Sequence, residues 1–292
     1  MMKKNLLLIL MCFVCGLVYA HDGLNFRNLD VKSGISDNYV RSVLRDQYGF
    51  MWFATLNGLN RYDGYQFKKY TTTQLGAYNN DIESIAEDAA GNIWIKGPVS
   101  YYIYDREQDK LENKIQPVLN KYGITGEVSY LTVDKDYNLW CTVMDTLFHY
   151  DFAKSKLHTF QLPGKEKMQQ VVCRRSCAYL LFSNGEIARI DSNFQHIRPE
   201  TRRTLSSGLQ YNLYIDTVDR LWFYASHASG LQCYDTNQKQ WIDYVGRQEV
   251  TDALITAVMD DGDGNLWIGT DDKGVYISYN QDKQLVRINK KS

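Results

Sequence analysis

The chain has little proline, four residues in 292, and no tract dominated by one residue type or one charge. Disordered tails and nucleic-acid-binding arms depend on such tracts, so the sequence argues against both. Lysine and arginine number 33 against 34 acidic residues, so net charge indicates no class of partner. The chain is instead rich in aromatic residues, 13%, and 44% hydrophobic, which is typical of a globular protein with a large core.

Long hydrophobic runs are also absent, except at the amino terminus. Two lysines precede an apolar stretch from Leu6 to Val18, and Ala20 ends a small-residue cleavage pattern. The stretch is shorter than the ~20 residues that a spanning helix needs, so we interpret residues 1–20 as a signal peptide and not as a membrane anchor. We therefore expect a periplasmic chain with no membrane span after signal cleavage.

Recognised catalytic and metal-binding motifs are missing. The five histidines form no i, i+2 or i, i+4 pair, and no G-x-S-x-G or Cys-His signature occurs. Cys173 and Cys177 are too far apart for a CxxC motif, and although an exported chain permits a disulfide, we favour small core cysteines. The segment from Asp260 to Asn265 begins like a calcium loop, but Leu266 stands where the sharp-turn glycine belongs. We predict no catalytic residue, metal or cofactor.

Tryptophan recurs at a nearly constant spacing. The intervals are 42, 46, 82 and 45 residues, and 82 equals two periods. Each tryptophan follows an acidic turn such as "DQYGFMW" or "DGDGNLW" and precedes a second short strand such as "GLNRYD". The copy without tryptophan is "YLLFSNGEIARID", in which we place Phe182 near the tryptophan position, so there are six copies. The tryptophans of this series are Trp52, Trp94, Trp140, Trp222 and Trp267.

Each copy predicts four short strands, because apolar runs rich in Val, Ile, Tyr, Trp and Phe alternate with Gly, Asn and Asp turns. A single sheet of this kind cannot bury both faces, and radial packing of several twisted sheets solves that problem. A stacked solenoid is the competing geometry, but four strands per ~40 residues favour blades. In the first copy the pattern assigns Gly49 and Gly58 to turns, Trp52 to the wedge between sheets, and Tyr62 and Asp63 to a strand end.

The predicted fold is therefore all-β, a β-propeller of about six four-stranded antiparallel blades. The expected repeat boundaries are residues 24–73, 74–115, 116–162, 163–200, 201–245 and 246–292, within a propeller spanning residues 21–292.

The segment from Ser33 to Thr73 resembles a known family. It contains the run G-[FL]-x-W-x-x-T-x-x-G-L-x-R-[YF]-D-G and is similar to the two-component-regulator propeller repeat of Bacteroidetes hybrid two-component sensor histidine kinases. The resemblance implies two exported seven-bladed propellers that sense carbohydrate fragments, followed by kinase and DNA-binding modules that regulate polysaccharide utilisation. By this resemblance the chain is the ligand-sensing propeller portion of such a sensor and recognises oligosaccharides.

The chain departs from that plan because it ends at Ser292 after six repeats, without a kinase module. We expect a partial seven-bladed propeller, open or incomplete, and favour a truncated sensor because "KQLVRINKKS" already supplies the outermost strand of the last copy. A free-standing exported propeller that acts as a protein-interaction scaffold is the alternative, and a streptogramin-lyase-like enzyme is a weaker one. The expected partners are an oligosaccharide and either the remaining sensor domains or a second copy, with no nucleic acid.

Ligands of propellers usually bind at one mouth, where inter-blade loops and the turns between second and third strands converge. Amide, carboxylate and aromatic groups there suit a sugar, whose hydroxyls take paired hydrogen bonds and whose C–H faces pack on rings. The same residue types are ordinary in turns, so each assignment competes with a structural one. The candidate ligand-binding residues are Asn57, Tyr78, Asn80, Lys96, Asp145, Tyr211, His227, Asp271 and Lys273.

Overall fold

The computed structural model describes residues 27–164, 166–174, 177–191, 193–206, 208–242, 248–279 and 284–288. These residues form six antiparallel sheets, so the predicted all-β propeller of four-stranded blades is confirmed. The predicted signal peptide, residues 1–20, lies outside the described residues. First strands contact one another between blades 1 and 2, blades 2 and 3, and blades 4 and 5, which places these strands around the central axis.

The first three blades follow one hairpin-connected order. Blade 1 comprises β1 (Val40–Arg45), β2 (Met51–Thr55), β3 (Gly58–Tyr62) and β4 (Phe67–Tyr70). Blade 2 comprises β5 (Ser84–Glu87), β6 (Ile93–Lys96), β7 (Tyr101–Asp105) and β8 (Lys110–Glu112). Blade 3 comprises β9 (Val128–Val133), β10 (Leu139–Val143), β11 (Thr146–Asp151) and β12 (Lys156–Gln161).

The other three blades repeat this order with one addition. Blade 4 comprises β13 (Met168–Arg174), β14 (Cys177–Phe182), β15 (Glu186–Ile190) and β16 (Ile197–Arg202). Blade 5 comprises β17 (Tyr211–Ile215), β18 (Arg220–Ala225), the two-residue β19 (Ala228–Ser229), β20 (Leu231–Asp235) and β21 (Gln240–Ile242). Blade 6 comprises β22 (Leu254–Asp260), β23 (Leu266–Thr270), β24 (Val275–Tyr279) and β25 (Gln284–Ile288). Strand β19 leaves its own sheet and pairs with β22, so it ties blade 5 to blade 6.

In the described ranges, helices occupy only the connections between strands. Within the described part of the chain, no helix has the length and apolar character that crossing a membrane requires. The helical segments among the described residues are two 3₁₀ turns, Val31–Ser33 and Thr73–Leu75, and two short α-helices, α1 (Gln116–Lys121) and α2 (Gln248–Thr251).

A clasp between aspartate and tryptophan recurs in five blades. In each of them, one carboxylate oxygen of the aspartate accepts a hydrogen bond from the indole Nε1–H of the tryptophan six residues later. In blade 1 the other carboxylate oxygen of Asp46 accepts from the backbone N–H groups of Tyr48 and Phe50. The acidic turn therefore fixes the tryptophan that follows it, because turn and indole share one carboxylate. The pairs are Asp46–Trp52 at 2.9 Å, Asp88–Trp94, Asp134–Trp140 and Asp216–Trp222 at 2.8 Å, and Asp261–Trp267 at 3.0 Å.

The clasped indoles form the seams between blades. Trp52 packs in one core cluster with Ile93 and Ile95 of blade 2, and Trp222 packs in another with Ile268 of blade 6. The first four tryptophans are at most 2% exposed. Trp267 is only half-buried, since no further blade follows it within the described residues.

Blade 4 has no tryptophan, and the sheet register shows which residue stands in its place. Tyr179 pairs with Arg189, as Trp52 pairs with Arg61 in blade 1, and Tyr179 packs towards blade 5. The prediction that Phe182 lies near the tryptophan position is wrong, because Phe182 is on the opposite face, in the cluster of Trp140. Only two residues separate β13 from β14, whereas five separate β1 from β2, and this difference in spacing shifts the alignment of this copy.

Two turn glycines in blade 1 provide a test of backbone strain. Gly49 and Gly58 both have left-handed backbones, with φ of 89° and 113°. A Cβ on Gly58 would lie 2.7 Å from the Tyr70 carbonyl oxygen, whereas nothing lies within 4 Å of a Cβ on Gly49. We expect Gly49→Ala to lower the free energy of unfolding by about 1 to 2 kcal/mol, the cost of the left-handed backbone. Gly58→Ala should cost a further ~1 to 3 kcal/mol through the steric clash. Urea denaturation of both variants measures this difference, and equal costs would contradict it.

Candidate ligand-binding mouth

One end of the propeller collects the turns between second and third strands and the loops that enter first strands. In blade 1 the turn at Leu56 and Asn57 lies beside Tyr39, because the Leu56 N–H donates to the Tyr39 carbonyl at 3.3 Å. Tyr39 immediately precedes β1, the innermost strand of its blade. We call this end the mouth.

Three side chains from three blades meet at the mouth. His227 lies in the connection between β18 and β19, and Asp271 lies in the turn between β23 and β24. The imidazole Nδ1 is hydrogen-bonded to the Asp271 carboxylate, and the Tyr39 hydroxyl lies 3.3 Å from Nε2. We call Tyr39, His227 and Asp271 the mouth cluster, which joins blades 1, 5 and 6.

The backbone holds both members of the imidazole–carboxylate pair against β22. The His227 N–H donates to the Ile255 carbonyl at 2.8 Å, and the Asp271 N–H donates to the Leu254 carbonyl at 3.0 Å. His227 has a φ of 56°, a left-handed conformation that is uncommon outside glycine. Such backbone strain persists only where surrounding contacts fix it, and it is concentrated at functional sites.

The hydrogen bonds of the mouth cluster define its chemistry. In the tautomer whose Nδ1–H donates to the Asp271 carboxylate, Nε2 of His227 accepts from the Tyr39 hydroxyl. The side chains of His227 and Asp271 are 50% and 44% exposed, so a ligand can reach both from solvent. The cluster thus offers carboxylate, imidazole and phenol groups to the hydroxyl groups of a ligand.

Two cationic side chains at this end of the propeller are ion-paired. The Arg41 guanidinium lies 5.8 Å from the centroid of the Tyr39 ring and forms a 3.0 Å ion pair with Asp81. Lys96, at the end of β6, forms a 2.7 Å ion pair with Glu83. Paired charges of both signs favour a neutral polar ligand over a highly charged one.

The structure brings together only His227 and Asp271 among the nine predicted residues. Asn57, Asp145 and Lys273 lie in turns between second and third strands, and Tyr78 is fully exposed in the loop after β4. Among the described contacts none of these four bonds to the mouth cluster. The same is true of Lys96, Asn80 and Tyr211.

Asn80 and Tyr211 have structural contacts instead. The Asn80 side-chain oxygen accepts from the backbone N–H groups of Thr72 and Thr73, both at 3.0 Å. The Tyr211 hydroxyl accepts from the Ser206 N–H at 2.8 Å, and its ring stacks on Phe223. Tyr39 is the residue that sequence reasoning missed, since it is 188 positions from His227 and no local pattern links them.

Two segments of the chain match a known protein-family model. Residues 34–57 and 250–272 match the family model described as "Two component regulator propeller", and these segments include β1 with β2 and β22 with β23. The predicted resemblance to two-component-regulator propellers is thereby confirmed. No curated protein matches the chain.

Solved structures share the same fold. The extracellular domain described for hybrid two component system BT3049 from B. thetaiotaomicron has a TM-score of 0.64 and 21% identity, over 91% of this chain and 37% of that chain. The corresponding domain of BT4673 from the same organism has a TM-score of 0.61 and 19% identity, over 91% and 38%. The chain therefore spans little more than a third of the length of these two structures.

A propeller enzyme has a similar shape. A catalytically inactive variant of virginiamycin B lyase from Staphylococcus aureus, solved with Quinupristin, has a TM-score of 0.59 and 14% identity, over 90% of this chain and 86% of that chain. At such identities the likeness concerns the fold alone.

Proposed function

We propose that the chain is the exported, ligand-sensing propeller portion of a hybrid two-component sensor, and that its mouth recognises oligosaccharides. The observation that carries this proposal is the meeting of Tyr39, His227 and Asp271 from three blades at one solvent-accessible point. Support comes from the regulator-type repeats and from similar structures described as extracellular domains of hybrid two-component systems.

A sugar suits this site for physical reasons. The Asp271 carboxylate can accept from two neighbouring hydroxyls, and Tyr39 supplies an aromatic face that is 45% exposed. A ligand that touches all three members of the mouth cluster contacts blades 1, 5 and 6 at once. Such a ligand binds more tightly to one relative arrangement of these blades than to another. Binding therefore shifts the conformational equilibrium of the propeller towards that arrangement. The proposal assigns recognition, and not phosphotransfer or catalysis, to the propeller.

Calorimetry with a panel of polysaccharide-derived neutral oligosaccharides tests the proposal. We expect at least one fragment to bind, and Asp271→Asn to weaken that binding about tenfold through loss of charge-assisted hydrogen bonds. Tyr39→Phe should weaken it about threefold to tenfold, because one neutral hydrogen bond is lost. Asp136→Asn is the matched control, an exposed carboxylate in the β9–β10 turn at the opposite end of blade 3, and should bind like the wild type. The proposal fails if a folded sample binds no fragment, or if Asp271→Asn and Asp136→Asn behave alike.

A propeller lyase is the second candidate function. The observation in its favour is the imidazole oriented by a carboxylate, an arrangement used by general bases, in a fold shared with virginiamycin B lyase. If the chain is a lyase, chromatography should show that it converts a streptogramin to product. The His227→Ala variant should then show no conversion. Ligand binding without turnover would favour the sensor.

A further inference from the structure

We infer that the propeller opens and closes at the seam between blade 6 and blade 1, and that the mouth cluster is the latch of this seam. The five seams between consecutive blades, from blades 1 and 2 to blades 5 and 6, each contain one core cluster built from both blades. Among the described residues, no such cluster joins blade 6 to blade 1. Apolar burial is the main force that holds neighbouring sheets together, so this seam is the weakest of the propeller.

The first strands show the same difference in solvent exposure. Val43 in β1 pairs with Phe53, which follows the tryptophan of β2, and Val43 is 52% exposed. The residues at this register position in the other blades are at most 8% exposed, because each packs in the cluster shared with the preceding blade. They are Ile85, Leu131, Val171, Leu213 and Val258. Solvent therefore reaches the side of the seam that belongs to blade 1.

The side of the seam that belongs to blade 6 is also accessible. Met259 in β22 pairs with Trp267 and shares its face, which is directed away from blade 5. Met259 is 55% exposed and Trp267 is half-buried. Moving the two blades closer would remove these apolar groups and Val43 from water, which is favourable. We therefore expect a closed arrangement, in which Val43 and Met259 are buried, in exchange with an open one.

The latch is a contact between side chains at the mouth. The Tyr39 hydroxyl of blade 1 lies 3.3 Å from Nε2 of His227, and Nδ1 of His227 is bonded to Asp271 of blade 6. Among the other hydrogen bonds and ion pairs between described residues, none joins blade 1 to blade 5 or blade 6. A ligand that bridges the three side chains, which rests on the proposed function, would favour the closed arrangement.

Blade 1 covers part of its side of the seam with its own leading segment. Asn60 is buried, its side-chain oxygen accepts from the Ser36 backbone N–H at 2.8 Å, and its amide group donates to the Ser36 hydroxyl at 2.7 Å. The equivalent residues in blades 2, 4 and 6 are Tyr102, Ala188 and Tyr276, and each packs in the cluster shared with the preceding blade. Because Asn60 finds its partners within blade 1, opening the seam leaves no buried amide without a hydrogen bond.

Double electron–electron resonance between spin labels tests the inference without any ligand. Labels on Tyr65→Cys and Asp263→Cys report the seam between blades 6 and 1, and labels on Tyr65→Cys and Glu107→Cys report the packed seam between blades 1 and 2. All three positions are exposed and lie in turns. Cys177, which is only partly buried, is replaced by serine to prevent its labelling. We expect two distance populations for the first pair of labels and one narrow population for the second pair.

Two variants should shift the populations of the first pair for different reasons. Tyr39→Phe removes the hydrogen bond of the latch and should raise the ratio of open to closed molecules about threefold to tenfold. Its matched control is Tyr211→Phe, since the hydroxyl of Tyr211 bonds to Ser206 and not across the seam. Met259→Lys places a charge where closure buries the side chain, so it should also favour the open population. Met144→Lys, at a methionine 88% exposed in the β10–β11 turn, is its control and should change nothing.

Equally narrow distance distributions for the two seams would overturn the inference. Equal effects of Met259→Lys and Met144→Lys would overturn it as well, because closure would then bury neither methionine. An unchanged ratio in Tyr39→Phe would refute the role of the mouth cluster as the latch. None of these measurements contains an oligosaccharide, so a mouth that binds no sugar would contradict the proposed function and leave this result unaffected.

Discussion

Trp222→Ala is expected to lower the free energy of unfolding by about 3 to 5 kcal/mol, whereas Trp267→Ala should cost only about 1 to 2 kcal/mol. Both indoles occupy the same repeat position and hydrogen-bond to an aspartate six residues earlier. Trp222 is fully buried against blade 6, so its removal leaves a cavity and also deprives the buried Asp216 carboxylate of a donor. Trp267 already contacts solvent, so its loss creates less new cavity.

Urea denaturation followed by circular dichroism gives both costs from one type of experiment. Tyr65→Ala, at a side chain 92% exposed, is the control and should leave the free energy of unfolding within about 0.5 kcal/mol of the wild type. Equal costs for the two tryptophan variants would show that an indole stabilises its own blade and not the seam with the next one.

The sequence was sufficient for the fold because the determinants of a blade are local. An acidic turn, a tryptophan six residues later and a second turn all lie within one repeat, so their spacing predicted the number of blades. Where the local turn changes length, the same reasoning failed, as for Phe182 in blade 4. The register of β14 with β15 is set by the sheet, and a fixed count along the chain does not reveal it.

The mouth was predictable only in part because its contacts are not local. His227 and Asp271 could be assigned to turns at one end of the propeller, but their hydrogen bond joins two blades, and Tyr39 reaches them from a third. Asn80 illustrates the opposite error, in which a residue is predicted to bind ligand but has a structural role. Its residue type suits a ligand, yet its oxygen is already occupied by the backbone N–H groups of Thr72 and Thr73.

A buried histidine makes the third blade sensitive to acid. His149 is 1% exposed, stacks on Trp140 at 4.0 Å and on Phe194 at 4.7 Å, and neither ring nitrogen has a hydrogen-bond partner among the described residues. Burial, with a smaller contribution from the neighbouring His158, lowers the pKa of His149 from 6.5 to about 4. Asp134 is the carboxylate packed nearest to the ring, at 3.9 Å from Nε2, and it is already bonded to Trp140.

The sign of the pH dependence follows from that lowered pKa. Between pH 6.5 and about 4 the unfolded chain binds a proton at this histidine and the folded chain does not, so stability is full above pH 6.5 and is lost as the pH falls towards 4. At about 1.4 kcal/mol for each pH unit, the total loss approaches ~3 kcal/mol. Asp151 and Lys154 also face the ring and act in opposite directions, so neither cancels the effect of burial.

His149→Phe isolates this effect, because phenylalanine keeps the stacked ring and cannot be protonated. We expect the free energy of unfolding of the variant, relative to the wild type, to rise by about 2 to 3 kcal/mol between pH 7.5 and pH 4, as measured by urea denaturation at each pH. Comparing two proteins at each pH removes the contribution of buried carboxylates such as Asp88 and Asp134, whose pKa values are raised by burial and which titrate in both. Tyr65→Phe on the exposed surface should keep a constant difference from the wild type across the same range. A constant difference for His149→Phe as well would mean that His149 is protonated in the folded state and that its ring nitrogens find partners near pH 5.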